Sequence, residues 1–428
     1  MSHADFLAPS SPLPLRRFGS FLLLALALAA PLSAQAIVSD RVAHEYDGIE
    51  LNRLIDNLGY QIARDPDNLT LRAALARAHA LVFALQSKHA ELDSGTHEPV
   101  VLAGQRGVEY YHPVMPLSVP QSPGPDARAH LAHAIELYNA VLNVPTDSSK
   151  AIGSSKGTDW SRDTYSKMEM LSAARLGRGW CLEQSGDRQA AIADYRALVR
   201  QTWADLLPGR RGTPVPGRDW TDDAAEAATY LLKLLDPGRD AKEIAALKQH
   251  MAAFNYKSMR AITPIAIPLA KDTPLADIED HDARVAFDAD ARHAGMYWSW
   301  LTPKAGWLAY DPKRTGKIAS GIRLFGNTSY WMFWENGYQA LSVLDDNHDG
   351  VLTGWELDGL VVWVDENRNG VCDDGEIKTL GTLNIKALRY SHAPVEGHPD
   401  HIVYSPQGVL YNDGTSGPSY DIILHQKP

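Results

Sequence analysis

Asp345, Asn347, Asp349, Val351, Thr353 and Glu356 stand at positions one, three, five, seven, nine and twelve of one short stretch. A calcium ion takes six to eight oxygens, and this spacing supplies them from a single loop of backbone. Asp345, Asn347 and Asp349 offer side-chain oxygens, Val351 its carbonyl, Thr353 a hydroxyl or a bridging water, and Glu356 two oxygens at once. Gly350 permits the left-handed bend that wraps such a loop round an ion, and Leu352 is expected to point back into the core. Twenty residues later the logic repeats, with Asp365, Asn367, Asn369, Val371, Asp373 and Glu376 in the same positions and Gly370 at the bend.

The chemistry implied is capture of Ca2+ by two loops of EF-hand type. Charge points the same way. From Asp345 to Glu376 ten residues are Asp or Glu and only Arg368 is basic, a local balance of −9. Such crowding repels itself unless a cation sits among the carboxylates, and the lack of a basic stripe argues against a nucleic-acid partner. The plain alternative is an Asp/Asn/Gly-rich surface turn without metal.

These loops need elements to hold them. Glu335 to Leu344 can form a helix leading into the first, whereas Val361 to Val364 reads as a strand leading into the second. Only eight residues, Leu357 to Val364, separate the loops, too few for two flanking helices. A calmodulin-like pair that opens a groove is therefore not expected.

The chain of 428 residues, 45% hydrophobic and 22% charged, has room for two to three domains with a sizeable core. Arg16 and Arg17 precede an apolar run from Phe21 to Ala30, and Ala34-Gln35-Ala36 supplies a small-x-small cleavage site. Residues 1–36 thus read as a signal peptide, which implies an exported protein, periplasmic or secreted, without stable membrane insertion after its removal. Two arginines and one aspartate leave with it, so a net charge of −11 becomes −12. Cys181 and Cys372 lie far apart in sequence, so no disulfide framework is expected, and both read as buried thiols.

Residues 37–255 read as helices: Leu69 to Ala90, Asp126 to Asn143, Thr164 to Gln184, Asp187 to about Leu206, Thr221 to Leu235 and Asp240 to Phe254. Gly179, Leu182, Gly186, Ala191, Tyr195 and Leu198 fall at the small, large and turn positions of a helical hairpin, and this region resembles tetratricopeptide proteins. Leu75, Ala76 and His79, with Ala134, Ile135, Tyr138 and Val141, resemble an earlier unit whose turn is replaced by an insertion at residues 91–125. Such hairpins imply a platform for another protein. Residues 256–284, with Pro264, Pro268 and Pro274, read as an interdomain connection. Residues 285–428 then turn aromatic and strand-like, so the expected fold is multidomain: an all-α helical-hairpin domain followed by a mixed α+β domain carrying the EF-hand-type loops.

Within that last domain, Trp307-Leu308-Ala309-Tyr310-Asp311, Leu324-Phe325-Gly326, the Asp345 loop and Val362-Trp363-Val364-Asp365 follow one another in a telling order. Residues 287–390 resemble the EF-hand-type calcium modules of secreted bacterial proteins, including RTX-associated and repeat-containing exported chains. The resemblance implies calcium binding and export, not a particular activity. Two upstream loops depart from the pattern and are expected to be turns without metal. Asp311 begins one, but Lys313 and Ile322 occupy ligand positions; Asp288 and Asp290 begin another, spoiled by Arg292 and His293.

Other signals are weaker. Gly153-Ser154-Ser155-Lys156-Gly157 spells a nucleophile elbow but lies in a polar stretch between helices, where that motif cannot work. His392, His398 and His401, with Glu396 and Asp400, could bind zinc or copper, but a flexible hairpin tip is the simpler account. Seven tryptophans follow residue 295 and suit core packing, although exposed ones could stack on sugars. The expected function is an exported, non-enzymatic calcium-binding protein. A calcium-scaffolded glycan or envelope binder is the alternative, and a hydrolase the third.

Overall fold

Helices α1 (Leu51–Arg64) and α2 (Leu69–Leu85) open the computed structural model, which describes residues 49–86, 115, 122–143, 162–204, 220–253, 262–291 and 296–427. The expected signal peptide, the 91–125 insertion apart from Met115 and residues 122–125, and the Gly153–Gly157 motif lie outside the described residues. Five further helices follow: α3 (Pro125–Leu142), α4 (Arg162–Ser185), α5 (Arg188–Ala204), α6 (Trp220–Leu234) and α7 (Ala241–Ala253). The sequence boundaries hold to within a few residues for all but α1, which was not foreseen, and α2, which ends five residues early. Asn68 caps α2 by accepting the Leu71 N–H, and Gly186, at φ +90°, turns the chain from α4 into α5.

Helix α2 explains how the two halves join. Leucine and alanine recur on more than one face of it because it is buried on two sides. Leu71, Leu75, Ala78 and Leu81 face one core, shared with the sheet residues Ile265, Leu308, Val362 and Leu388. Ala76, Ala80, Phe83 and Ala84 face a second, made with Leu131, Tyr138, Trp180 and Tyr195 of the following helices. Within that helical core small residues set the approach of neighbours. A Cβ on Gly179 would lie 2.8 Å from the Tyr195 ring, so the aromatic fills space that a side chain would need.

One buried group makes this region pH-sensitive. His79 on α2 packs against His130 and His133 of α3, with ring centroids 4.9 and 4.7 Å away. Burial first, then repulsion from the other two rings, lowers its pKa from 6.5 to about 4. The fold therefore holds His79 neutral. The stabilisation is complete above about pH 6.5 and is lost as pH falls towards 4, by up to ~3 kcal/mol. His79→Gln should accordingly melt with a shallower pH dependence than the wild type between pH 7 and 4. An identical dependence would remove His79 from the account.

The C-terminal part is a nine-stranded sheet beside a three-stranded one. Its strands are β1 (Ile265–Pro268), β2 (Glu279–Ala286), β3 (Tyr297–Leu301), β4 (Ala305–Tyr310), β5 (Val351–Thr353), β6 (Leu360–Trp363), β7 (Ile377–Thr379), β8 (Ile385–Arg389), β9 (Ala393–Pro394), β10 (Val403–Tyr411), β11 (Ser416–Asp421) and β12 (Gln426–Lys427). The large sheet runs β5-β8-β10-β11-β1-β4-β6-β7, with β9 on β10, and the small one β12-β3-β2. Two short helices, α8 (Leu275–Ile278) and α9 (Gly337–Ser342), punctuate the strands.

This corrects the expected connection at residues 256–284. Ile265–Pro268 is a fully buried strand in the middle of the large sheet, pairing with both β11 and β4. The prolines misled because Pro264 precedes the strand and Pro268 ends it, where a missing N–H is tolerated. The sheet therefore begins before residue 285, and α1 and α2 share its core. Six of the seven late tryptophans are at most 3% exposed, and only Trp355, at 62%, is open. Core packing accounts for those six.

Candidate metal centre

The two acidic loops hang from opposite ends of the large sheet. Helix α9 leads into the first, and β5, inside it, pairs with β8 at one edge; β6 leads into the second, and β7 leaves it at the other edge. The incoming helix is shorter than the expected Glu335 to Leu344, whereas the strand before the second loop is as expected. Leu352 is fully buried and registers with Leu388, as its inward position required.

Both loops share one backbone trace. His348 and Arg368 at position four have φ +61° and +57°, and Gly350 and Gly370 at position six have φ +87° and +72°. In each, the first aspartate accepts the glycine N–H at 2.9 Å, closing the turn onto its carboxylate. The last glutamate closes the other end. Glu356 accepts from the N–H groups of Asp346, Asn347 and Thr353, and Glu376 from those of Glu366 and Asp373. Positions one and twelve are buried in both loops, Asp345 and Glu356 at 1% exposure each. Asn347 and Asp349 accept from the N–H two residues on, as do Asn367 and Asn369. Asp373 accepts from the amide groups of Asn367 and Asn369, which hold its pKa below the usual carboxylate range.

The two sites differ in how their carboxylates are satisfied. Asp345 Oδ2 also takes the Tyr390 hydroxyl at 2.6 Å, yet its Oδ1 is buried without a hydrogen-bond partner. That orphan oxygen, in a loop of six oxygen-bearing positions, fits a hard divalent cation. In the second loop indoles replace the tyrosine. Trp300 donates to Asp365 at 2.8 Å and Trp363 to Glu376 at 3.1 Å. Burial there raises the Asp365 pKa despite the amide hydrogen bonds it accepts.

A third loop has the same trace and another cation. Asp311 accepts the Gly316 N–H at 2.8 Å, and Arg314 and Gly316 repeat the left-handed φ values at +54° and +67°. Just past position twelve, where the other loops place glutamate, the buried Arg323 guanidinium lies 3.6 Å from Asp311 Oδ1. A side-chain cation thus stands beside the carboxylate. The expected Asp288 turn is described only in part, because Arg292 and His293 lie outside the described residues.

Helix α1 supplies contacts that sequence reading missed. Arg53 donates two hydrogen bonds to Asp346, at 2.9 and 2.6 Å, and another to the Leu344 carbonyl. Asn57 bonds Val343 O and Asp346, and Tyr60 stacks on His348 at 3.6 Å. These partners lie almost 300 residues apart in sequence, and no local pattern could have joined them.

Residues 271–425 match the SPM domain family, a segment that takes in β2 to β11 and both acidic loops. Over 213 residues the chain is 27% identical to the iron-regulated protein FrpA of Neisseria meningitidis serogroup C. That match covers 48% of this chain and 18% of FrpA, so the chain spans under a fifth of that relative's length. No described helix is long and apolar enough to cross a membrane.

Proposed function

We propose that this is an exported, non-enzymatic calcium-binding protein whose two acidic loops, at Asp345–Glu356 and Asp365–Glu376, each hold one structural calcium ion. The observation that carries the proposal is the buried, unpartnered Asp345 Oδ1 at position one of the first loop. The shared turn geometry extends it to the second loop. Asp345, Asn347, Asp349, Val351, Thr353 and Glu356 hold the first ion, and Asp365, Asn367, Asn369, Val371, Asp373 and Glu376 the second. Export rests on the N-terminal signal, and the tetratricopeptide-like hairpins α3 to α7 serve as the platform for a protein partner. The calcium ions brace the sheet edges, and through Arg53 and Asn57 the first loop also braces the helices.

Extracellular-type loops bind at roughly 10⁻⁴ to 10⁻³ M, so millimolar calcium adds on the order of 0.4–1.4 kcal/mol per site. Tryptophan fluorescence reads the second loop directly. Filling it draws Asp365 and Glu376 towards the ion and away from the Trp300 and Trp363 N–H groups. Emission should change saturably with calcium, revert with EDTA, persist in Glu356→Gln, and fall in Glu376→Gln to what Trp355 of the first loop contributes. Emission that ignores calcium in the wild type contradicts the assignment of the second loop.

A further inference from the structure

We propose a further metal site, for zinc(II), formed by Glu279 and His281 of β2, Asp400 of the β9–β10 loop and His425 beside β12, and sharing no residue with either acidic loop. Three separate stretches of chain meet there. Glu279 and His281 lie two apart on β2, so their side chains share a face. His425 directly precedes β12, whose neighbour β3 separates it from β2. Asp400 comes from the loop between β9 and β10, which Val395 closes by donating to the Ile402 carbonyl.

Ligand atoms of His281, Asp400 and His425 all lie within 4.8 Å of one another. His425 Nε2 is 2.9 Å from Asp400 Oδ2, and the His281 and His425 rings are 5.8 Å apart between centroids. Zinc bonds of about 2.0–2.1 Å require ligand atoms roughly 3.3 Å apart in a tetrahedron, so atoms now within 4.8 Å must draw in, and the half-exposed His281 side chain has room to move. Imidazole and carboxylate together are a donor set for zinc and not for calcium, which takes oxygen alone.

Glu279 provides the independent observation. Its carboxylate is only 6% exposed, Oε2 lies 3.2 Å from His398 Nε2 and 3.8 Å from His281 Nε2, and Oε1 is buried without a hydrogen-bond partner. One oxygen of this buried carboxylate therefore faces two imidazoles while the other is left bare, a carboxylate short of a partner. His398 is the positioning residue. The Asp400 N–H donates to its Nδ1 at 3.2 Å, so Nε2 carries the proton and donates to Glu279. That arrangement orients a ligating carboxylate from outside, as outer partners of zinc ligands do.

The test is calorimetric titration of zinc chloride into the full-length protein held in excess calcium, which keeps the acidic loops filled. One zinc per chain is expected here, with affinity unchanged in the Glu356→Gln/Glu376→Gln variant, so this proposal stands or falls separately from the calcium reading. His281→Ala/His425→Ala should weaken binding at least ~100-fold and His398→Ala ~10-fold or more, the outer-partner effect. Asp400→Asn, nearly isosteric, gives a second variant expected to match the double histidine loss. A cobalt(II)-loaded sample should show the intense visible absorption of four-coordinate cobalt in the wild type and lose it in either variant. Zinc binding that survives in both variants, or none in the wild type, overturns the proposal.

Discussion

Glu356→Gln should abolish calcium uptake by the first loop, weakening its affinity by ~100-fold or more. Loss of an outer partner alone costs a metal site 10–100-fold, and Glu356 is the proposed two-oxygen ligand itself. The apo protein is also affected. Glu356 accepts three backbone N–H groups, from Asp346 and Asn347 on one oxygen and from Thr353 on the other. A glutamine amide offers one acceptor, so an N–H must face an NH2 group, at a cost of about 1–3 kcal/mol. Thermal melts with and without calcium separate these effects. The variant should melt below the wild type in EDTA and gain about half as much from calcium. A full calcium response in Glu356→Gln would place the ion elsewhere.

Arg323→Met should destabilise the fold by about 3–5 kcal/mol, and calcium should not restore it. The substitution removes a guanidinium from beside Asp311, both side chains being at most 6% exposed, and leaves a buried charge held only by neutral donors, the Thr315 N–H and hydroxyl and the Gly316 N–H. Replacing both partners is far milder than breaking a buried pair. Arg323→Met combined with Asp311→Asn should therefore lose less than Arg323→Met alone in chemical denaturation. Strict additivity would show that the two groups act independently and that the third loop does not depend on the arginine.

The acidic loops were legible because their information is local. Twelve consecutive residues carry the loop pattern, the glycine bend and the inward Leu352, and the structure closes Glu356 onto the Asp346 N–H and Glu376 onto the Glu366 N–H. What surrounds the loops was not legible. Tyr390 on Asp345, Trp300 on Asp365 and Arg53 on Asp346 are joined only by the sheet and the packing of α1. Helix α1 did carry a signal, with Leu51, Leu54 and Leu58 on one buried face, but its outer face is polar and it follows the stretch read as a signal peptide. The proline-bearing stretch before residue 285 failed for the opposite reason. Its local chemistry spoke for a connection, while Ile265, Ala266 and Ile267 pair with strands at residues 305–310 and 416–421.

Calorimetric titration of calcium into the full-length chain is the most direct measurement, because a fragment starting at residue 285 would lack the central strand β1. Two ions per chain should bind at roughly 10⁻⁴ to 10⁻³ M, with one lost in Glu356→Gln, one in Glu376→Gln and both in the double variant. A wild-type protein that takes up no calcium at millimolar concentration would contradict the assignment of both loops.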